Sequence, residues 1–174
     1  MALRQATRQD KDGIYHVHWS AFSEAERSLV SQLAVDLLLE DIVPKPLSLV
    51  AEREEGIVGH VAFSPFTLEH DSDFQGFMLT PLGIVPGWQG KGIGTQLVKL
   101  GMQHLSERGA ESLLVYGNPN YYGRFGFSAA AAECFAPPYQ LQYPFGWQAM
   151  NLRDRTKASG KIKVASPLQN PALW

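Results

Sequence analysis

The sequence predicts an α+β fold in which helices flank a mixed β-sheet. Short segments with the apolar pattern of strands are interrupted by longer segments whose apolar residues recur at helical spacing. Their order is strand, two helices, three strands, helix, strand, short helix and further strands, which favours an α+β protein with a mixed sheet. The 174 residues are enough for one domain with a substantial core.

The first elements are a strand and two helices. Residues 3–6 are predicted to form a short strand, after which Thr7 or Asp10 caps a helix that continues to about Phe22. Ser23 and Glu26 have the spacing of a capping box, and we expect them to open the second helix. The apolar face of that helix consists of Leu29, Val30, Leu33, Val35, Leu37 and Leu38.

A β-hairpin and a further strand come next. Residues 47–53 and 57–66 have strand patterns, and the turn Glu54-Glu55-Gly56 between them indicates a hairpin. Residues 74–85 are predicted to form the fourth strand, which leads into a turn rich in glycine.

The remaining elements begin with an amphipathic helix over residues 91–108, which Gly109 ends as a typical C-terminal cap. Residues 113–116 are an apolar strand. Residues 145–152 and 162–165 are predicted to form later strands, the second of them at an edge.

Composition and charge exclude several classes of function. The formal net charge of −2 gives no long-range attraction to nucleic acid or to an anionic membrane. No apolar run approaches the roughly 18 residues of a membrane span. Cys134 is the single cysteine, which excludes an intramolecular disulfide and a cysteine metal site. Charged residues such as Arg4, Arg8 and Lys11 come too early for a signal peptide, so we expect a cytoplasmic protein.

Residues 82–95 carry the strongest functional signal. An apolar strand ends at Pro86, and a glycine-rich turn then runs directly into a helix. Gly90, Gly92 and Gly94 stand at alternate positions, where the absence of a Cβ lets a ligand approach the backbone. The free N–H groups and the positive dipole end of the helix would face that ligand. The pattern therefore predicts a site for a phosphate or pyrophosphate.

Two common phosphate-binding loops do not fit this segment. A nucleoside-triphosphate P-loop needs glycine five residues before its Gly-Lys pair and a hydroxyl residue after it, and these positions are Val85 and Gly92. A dinucleotide fingerprint that begins at Gly92 meets Leu97 where it needs glycine or alanine. One that begins at Gly90 meets Thr95 there instead. Both interpretations are excluded.

Two sequence blocks point to a known family. The first is Gln-x-x-Gly-x-Gly over residues 89–94, preceded by the strand Leu82-Gly83-Ile84-Val85-Pro86. The second is Gly-Asn-Pro-Asn-Tyr-Tyr-Gly-Arg-Phe-Gly-Phe over residues 117–127. In this order the two blocks resemble the signatures of the GNAT superfamily of N-acetyltransferases. Residues 59–65 and the second block look like a small bacterial group of predicted acetyltransferases. Asn118 departs from the pattern, since that group has an aspartate there.

The resemblance implies a domain organisation. It covers roughly residues 1–153, which would form a GNAT-like acetyltransferase domain. The central sheet of this fold is mostly antiparallel and splayed between its fourth and fifth strands. Residues 154–174 would then be a C-terminal extension, either an edge strand or a dimer arm, so a homodimer is one arrangement to consider.

The resemblance also implies direct transfer of an acetyl group from acetyl-CoA to a primary amine, with CoA as product. Main-chain groups of Leu82 and Ile84 would bind the pantetheine arm and polarise the thioester carbonyl. The pyrophosphate would lie over Gln89, Gly90, Lys91, Gly92, Ile93, Gly94 and Thr95. Tyr122 would be the general acid for the departing thiolate, because a phenol is normally protonated at neutral pH. Asn118 either contacts the pantetheine amides or acts as the turn residue of Asn-Pro.

The sequence assigns neither a general base nor a metal site. The candidates for the base, each more commonly a solvated or capping residue, are Glu24, Glu26, His70, Asp71 and Asp73. His60 lies on a strand and is expected to be a packed histidine. His16 and His18 are two positions apart on a helix and so point to different faces, which gives no metal site.

Two other classes of function are kept open. A GNAT-like domain could bind CoA as a sensor without transferring the acetyl group, although Tyr122 argues against this. A partner-binding module would expose Trp147 and Trp174 at an interface, whereas burial would make them core residues. The acceptor is also open, since a fold does not identify a substrate.

Overall fold

The computed structural model describes residues 1–154 and 158–174. These residues belong to two compact units. Unit 1 comprises Met1–Phe63 and Thr80–Gln103, and unit 2 comprises Ser64–Leu79 and His104–Trp174.

Unit 1 contains the N-terminal helices and the strands that precede the glycine-rich loop. Its elements are β1 (Ala2–Gln5), α1 (Lys11–Ala21), α2 (Arg27–Leu39), β2 (Leu47–Arg53), the first part of β3 (Gly56–Leu68), the end of β4 (Asp71–Ile84) and most of α3 (Ile93–Glu107). β1 pairs antiparallel with β2, and β2 pairs antiparallel with β3. Ile14, Ala34 and Val50 form a fully buried cluster from both helices and the sheet.

The middle of α3 packs directly on β3. Gly101 is buried, and a Cβ at this position would lie 2.1 Å from Cε2 of Phe63. The ring of Phe63, itself fully buried, therefore occupies the space of a side chain at position 101.

Unit 2 contains the rest of β3 and β4 together with the C-terminal elements. These are β5 (Ser112–Tyr116), α4 (Pro119–Tyr122), α5 (Ala129–Ala132), β6 (Phe135–Ala136), β7 (Trp147–Asn151) and β8 (Gly160–Val164). β4 pairs parallel with β5, β5 pairs antiparallel with β7, and β8 pairs antiparallel with β3 and parallel with β6. The strand order β1-β2-β3-β4-β5-β7 gives the mixed, mostly antiparallel sheet that was predicted.

The fourth strand extends beyond its last residue that pairs with the fifth. The last paired residues are Leu79 and Val115, and β4 continues to Ile84. Pro81 has no N–H and cannot donate to a neighbouring strand in this stretch. β4 therefore extends five residues beyond its parallel ladder with β5, and the divergence of the two strands stays a prediction.

The end of α3 was predicted correctly, but the start of α2 was not. Gly109 adopts a φ of +88° directly after α3, as a glycine cap requires. The Ser23 hydroxyl donates to a carboxylate oxygen of Glu26 at 2.7 Å instead of accepting from a helical N–H. Ser23 and Glu26 therefore form a turn, and the helix starts only at Arg27.

The two C-terminal tryptophans are core residues of unit 2. Trp147 and Trp174 are 7% and 6% exposed, and their rings lie 6.0 Å apart. The Trp147 indole N–H donates to the carbonyl of Phe135, and the Trp174 indole N–H donates to that of Leu168. This burial is the outcome that the sequence analysis associated with ordinary packing. The domain boundary at residue 153 stays a prediction.

Candidate functional site

The glycine-rich loop joins β4 to α3 in unit 1, and its backbone is open. After a 3-10 turn over Pro86–Trp88, Gly90 and Gly92 adopt φ values of +73° and +77°, which side chains of L-residues disfavour. A Cβ on Gly90 would meet nothing within 4 Å, and one on Gly92 would meet only the amide nitrogen of Gln96 at 4.0 Å. The loop thus leaves the free space over its backbone that a phosphate group needs.

The first turn of α3 supplies donors next to this space. The first bond of the helix runs from the N–H of Gln96 to the carbonyl of Gly92. The N–H groups of Ile93, Gly94 and Thr95 precede it and have no acceptor inside the helix. Together with the positive end of the helix dipole they form an anion-binding terminus.

The strand that enters the loop is tied to it by a side chain. The Gln89 amide donates to the carbonyl of Ile84 at 3.0 Å. Leu82 and Ile84 are half-buried, and the Ile84 side chain covers Gly59, where a Cβ would lie 2.8 Å from its Cδ1. Gln89 therefore fixes the loop against the end of β4, a role that the sequence analysis did not foresee.

Two cations lie against the indole of Trp88. The Arg53 guanidinium is 4.2 Å from the centroid of that ring, and the Lys91 ammonium is 4.4 Å from it. Lys91 was predicted as a site residue, whereas Arg53 was missed. The hairpin connects the end of β2 to the start of β3, and the bond from the Val85 N–H to the Val58 carbonyl connects the start of β3 to the residue after β4. No motif in the sequence marks Arg53 as a site residue.

Unit 1 also buries a chain of polar side chains beneath β4. Nε2 of His18 lies 2.7 Å from Nδ1 of His60, and Nε2 of His60 lies 2.7 Å from the Ser48 hydroxyl. Burial lowers the pKa of His18 to about 3 and holds the pKa of His60 well below its usual value, so both rings are neutral near pH 7. A Cβ on Gly83 would lie 2.7 Å from Nδ1 of His18. His60 is thus the packed histidine that was expected.

The second sequence block forms a short helical turn in unit 2. Asn118 caps α4, and its side-chain oxygen accepts from the N–H of Asn120 at 2.9 Å. The Tyr122 ring packs edge-on against Tyr121 and Phe127, and it fills the space where a Cβ on Gly117 would be, 2.6 Å from its Cε2. Burial raises the pKa of Tyr122, so its phenol is protonated at neutral pH.

The carboxylates that were considered as bases have local roles. Glu26 accepts from Ser23, and Glu24 lies 3.9 Å from Arg27. A carboxylate oxygen of Asp71 accepts from the N–H of Asp73. Across residues 1–154 and 158–174 there is no group of three or more metal-ligating side chains. In the same ranges no helix is long and apolar enough to cross a bilayer.

Fold and loop together define an acetyltransferase of the GNAT class. The profile of the acetyltransferase (GNAT) family matches residues 11–127, and the chain belongs to this family.

Two relatives from Escherichia coli K12 are similar over most of the chain. The uncharacterized N-acetyltransferase YjhQ is 32% identical over 173 residues, which cover 95% of this chain and 93% of that protein. The uncharacterized N-acetyltransferase YhbS is 38% identical over 133 residues, or 75% of each chain.

Two solved structures share the fold. The structure of the GNAT family N-acetyltransferase YhbS from Escherichia coli in complex with CoA has a TM-score of 0.85 and 27% identity, and the match covers 97% of this chain and 92% of that one. A GNAT family acetyltransferase from Brucella melitensis in complex with acetyl-CoA has a TM-score of 0.74 and 25% identity, over 95% and 96% of the two chains.

Proposed function

We propose that this protein transfers an acetyl group directly from acetyl-CoA to a primary amine. The observation that carries this proposal is the glycine-rich loop, with its two left-handed glycines, the open space above its backbone and the N–H groups at the start of α3 that have no acceptor inside the helix. Membership of the GNAT family and the CoA-bound relatives support the same cosubstrate.

Each part of the loop has a role in this proposal. The N–H groups of residues 90–95 donate to the pyrophosphate, and Lys91 adds a positive charge at the rim. Main-chain groups of Leu82 and Ile84 bind the pantetheine amides in the manner of an added strand, since β4 extends past its pairing with β5. Gln89 keeps the end of that strand in place. Asn118, whose side-chain oxygen accepts the capping bond of α4, still has its two amide N–H groups to donate to the pantetheine amides.

Acetyl-CoA supplies an acetyl group that is activated as a thioester, and the protein positions it and handles protons. A backbone N–H of β4 that is aimed at the carbonyl oxygen contributes on the order of 3 kcal/mol through electrostatic stabilisation. Tyr122, whose phenol is protonated at neutral pH, donates a proton to the sulfur that leaves, and the phenolate regains a proton from water, which takes up the proton released by the amine. No side chain is assigned as the base, and water can remove the proton of the amine.

Titration calorimetry with acetyl-CoA, CoA and ATP is the first test. Binding of both CoA species without binding of ATP is expected, and absence of acetyl-CoA binding by the folded protein would refute the proposal. Mass spectrometry of a panel of small amines and peptides, incubated with acetyl-CoA and protein, then reports transfer. Binding without any transfer would favour a CoA sensor, the second candidate function.

Location and assembly belong to the same proposal. We propose that the enzyme is cytoplasmic. The homodimer stays a prediction, and light scattering on the purified chain measures the oligomeric state directly.

A further inference from the structure

We propose that Arg53, Trp88 and Lys91, here called the Trp88 cluster, form a second anion subsite that takes the 3′-phosphate of CoA. This inference rests on the proposed function and adds a subsite to it. The cluster belongs entirely to unit 1, with Arg53 at the end of β2, Trp88 in the 3-10 turn and Lys91 in the loop.

Both cations of the cluster lie against the Trp88 ring, and neither is paired with a carboxylate of the described residues. Both lie within 4.5 Å of the same ring centroid, at 4.2 and 4.4 Å. None of the ion pairs among the described residues includes either of them. Glu54 and Glu55 follow Arg53 in the turn, but both side chains are exposed and neither reaches Arg53. A dianion bound at the edge of the ring would supply the negative charge that neither cation has beside it among the described residues.

Arg53 also has a hydrogen-bond donor without an acceptor. Its Nε is buried and has no hydrogen-bond partner within the described part of the chain. A buried donor without an acceptor is costly, so simple packing on Trp88 does not account for an arginine here. The planar guanidinium donates to two oxygens of a phosphate at once, which a lysine cannot do.

The chemistry of the cluster differs from that of the pyrophosphate site. The pyrophosphate would be bound by backbone N–H groups at the start of α3, whereas the cluster offers the side-chain charges of Lys91 in the loop and of Arg53 in the neighbouring hairpin. A CoA molecule has one phosphate outside its pyrophosphate, and as a monoester this group carries close to two negative charges at neutral pH. It is therefore the phosphate that offers the most negative charge to the two cations of the cluster.

Calorimetry with CoA and with 3′-dephospho-CoA tests the subsite. The wild-type protein is expected to bind CoA roughly ten- to a hundredfold more tightly than dephospho-CoA, the range for charge-assisted hydrogen bonds. Arg53→Gln should weaken binding of CoA by a similar factor and leave dephospho-CoA almost unaffected. Arg53→Lys should recover part of the loss, and Lys99→Gln, on the exposed side of α3, should change neither affinity.

The ligand pair separates this inference from the proposed function. Equal affinity of the wild-type protein for the two ligands overturns the subsite and leaves the acetyltransferase proposal standing. An equal loss for both ligands in Arg53→Gln also overturns it, because Arg53 would then shape the loop or bind the pyrophosphate. If the folded wild-type protein binds neither ligand, the proposed function fails and the subsite fails with it.

Discussion

Substitution of Gly92 by valine gives the sharpest test of the glycine-rich loop. Gly92 has a φ of +77°, and around it the protein leaves open space apart from the end of the Gln96 side chain at 4.0 Å. A valine there would clash with almost nothing in the free protein. The substitution should therefore have two effects only: it strains the backbone, and it occupies space that the ligand needs.

The size of both effects follows from this geometry. A left-handed conformation costs an L-residue roughly 1–2 kcal/mol, and a β-branched residue more. Domains of this kind have about 5–15 kcal/mol of stability, so the variant should still fold. The two methyl groups of valine would fill the space over the loop, and we expect affinity for acetyl-CoA to fall by at least about tenfold, or 1.4 kcal/mol.

Gly109→Val is the matched control. Gly109 also has a left-handed φ, at +88°, and the nearest atom to its Cβ position is the end of the Arg153 side chain at 3.8 Å. Urea denaturation should show a similar loss of stability in both variants, whereas calorimetry should show weaker binding only in Gly92→Val. A folded Gly92→Val protein with wild-type affinity would refute the assignment of the loop to the cosubstrate.

Three further predictions concern Tyr122 and the buried histidines. Tyr122→Phe should lower kcat by roughly 10²–10⁴ with the affinity for acetyl-CoA unchanged; equal kcat values for this variant and Tyr121→Phe would remove the acid role. Gly83→Ala should lower the free energy of unfolding by about 1–3 kcal/mol, because its Cβ would lie 2.7 Å from Nδ1 of His18. His18→Ala in the same chain should reduce that cost, and strict additivity of the two changes would contradict the contact. His18 and His60 stay neutral in the folded protein, whereas both take up protons in the unfolded chain below about pH 6.5. The free energy of unfolding, measured in urea, should therefore decrease as the pH is lowered below about 6.5. A stability that is flat down to about pH 5.5 would contradict this burial.

Features with a local cause were predictable from the sequence. The glycine cap at Gly109, the hairpin after Arg53 and the strand–loop–helix order around Gly92 all depend on residues close in the chain. Backbone preference and hydrophobic period act over such distances, so they can be read directly. The predicted capping box was wrong although it is also a local feature. The Ser23 hydroxyl bonds to the Glu26 side chain instead of a backbone N–H, and the spacing of the two residues does not reveal this choice.

Features that depend on distant contacts were not predictable. The Arg53 side chain reaches Trp88 although β3 separates β2 from β4 in the sheet, and His18 meets His60 because α1 packs on the sheet. Neither pair has a sequence signal of its own. The roles of Trp147 and Trp174 were open for the same reason, since only burial distinguishes a core tryptophan from an exposed one.

The contact between Gly101 and Phe63 has a consequence for how this family can change during evolution. Glycine inside a helix costs about 1 kcal/mol relative to alanine, yet alanine at position 101 would overlap the Phe63 ring. We therefore expect the side-chain sizes at the two positions to covary among relatives, so that a larger residue at 101 is accompanied by a smaller one at 63. Since α3 begins at the glycine-rich loop, such a compensated exchange would keep the helix on β3 and the loop in its position.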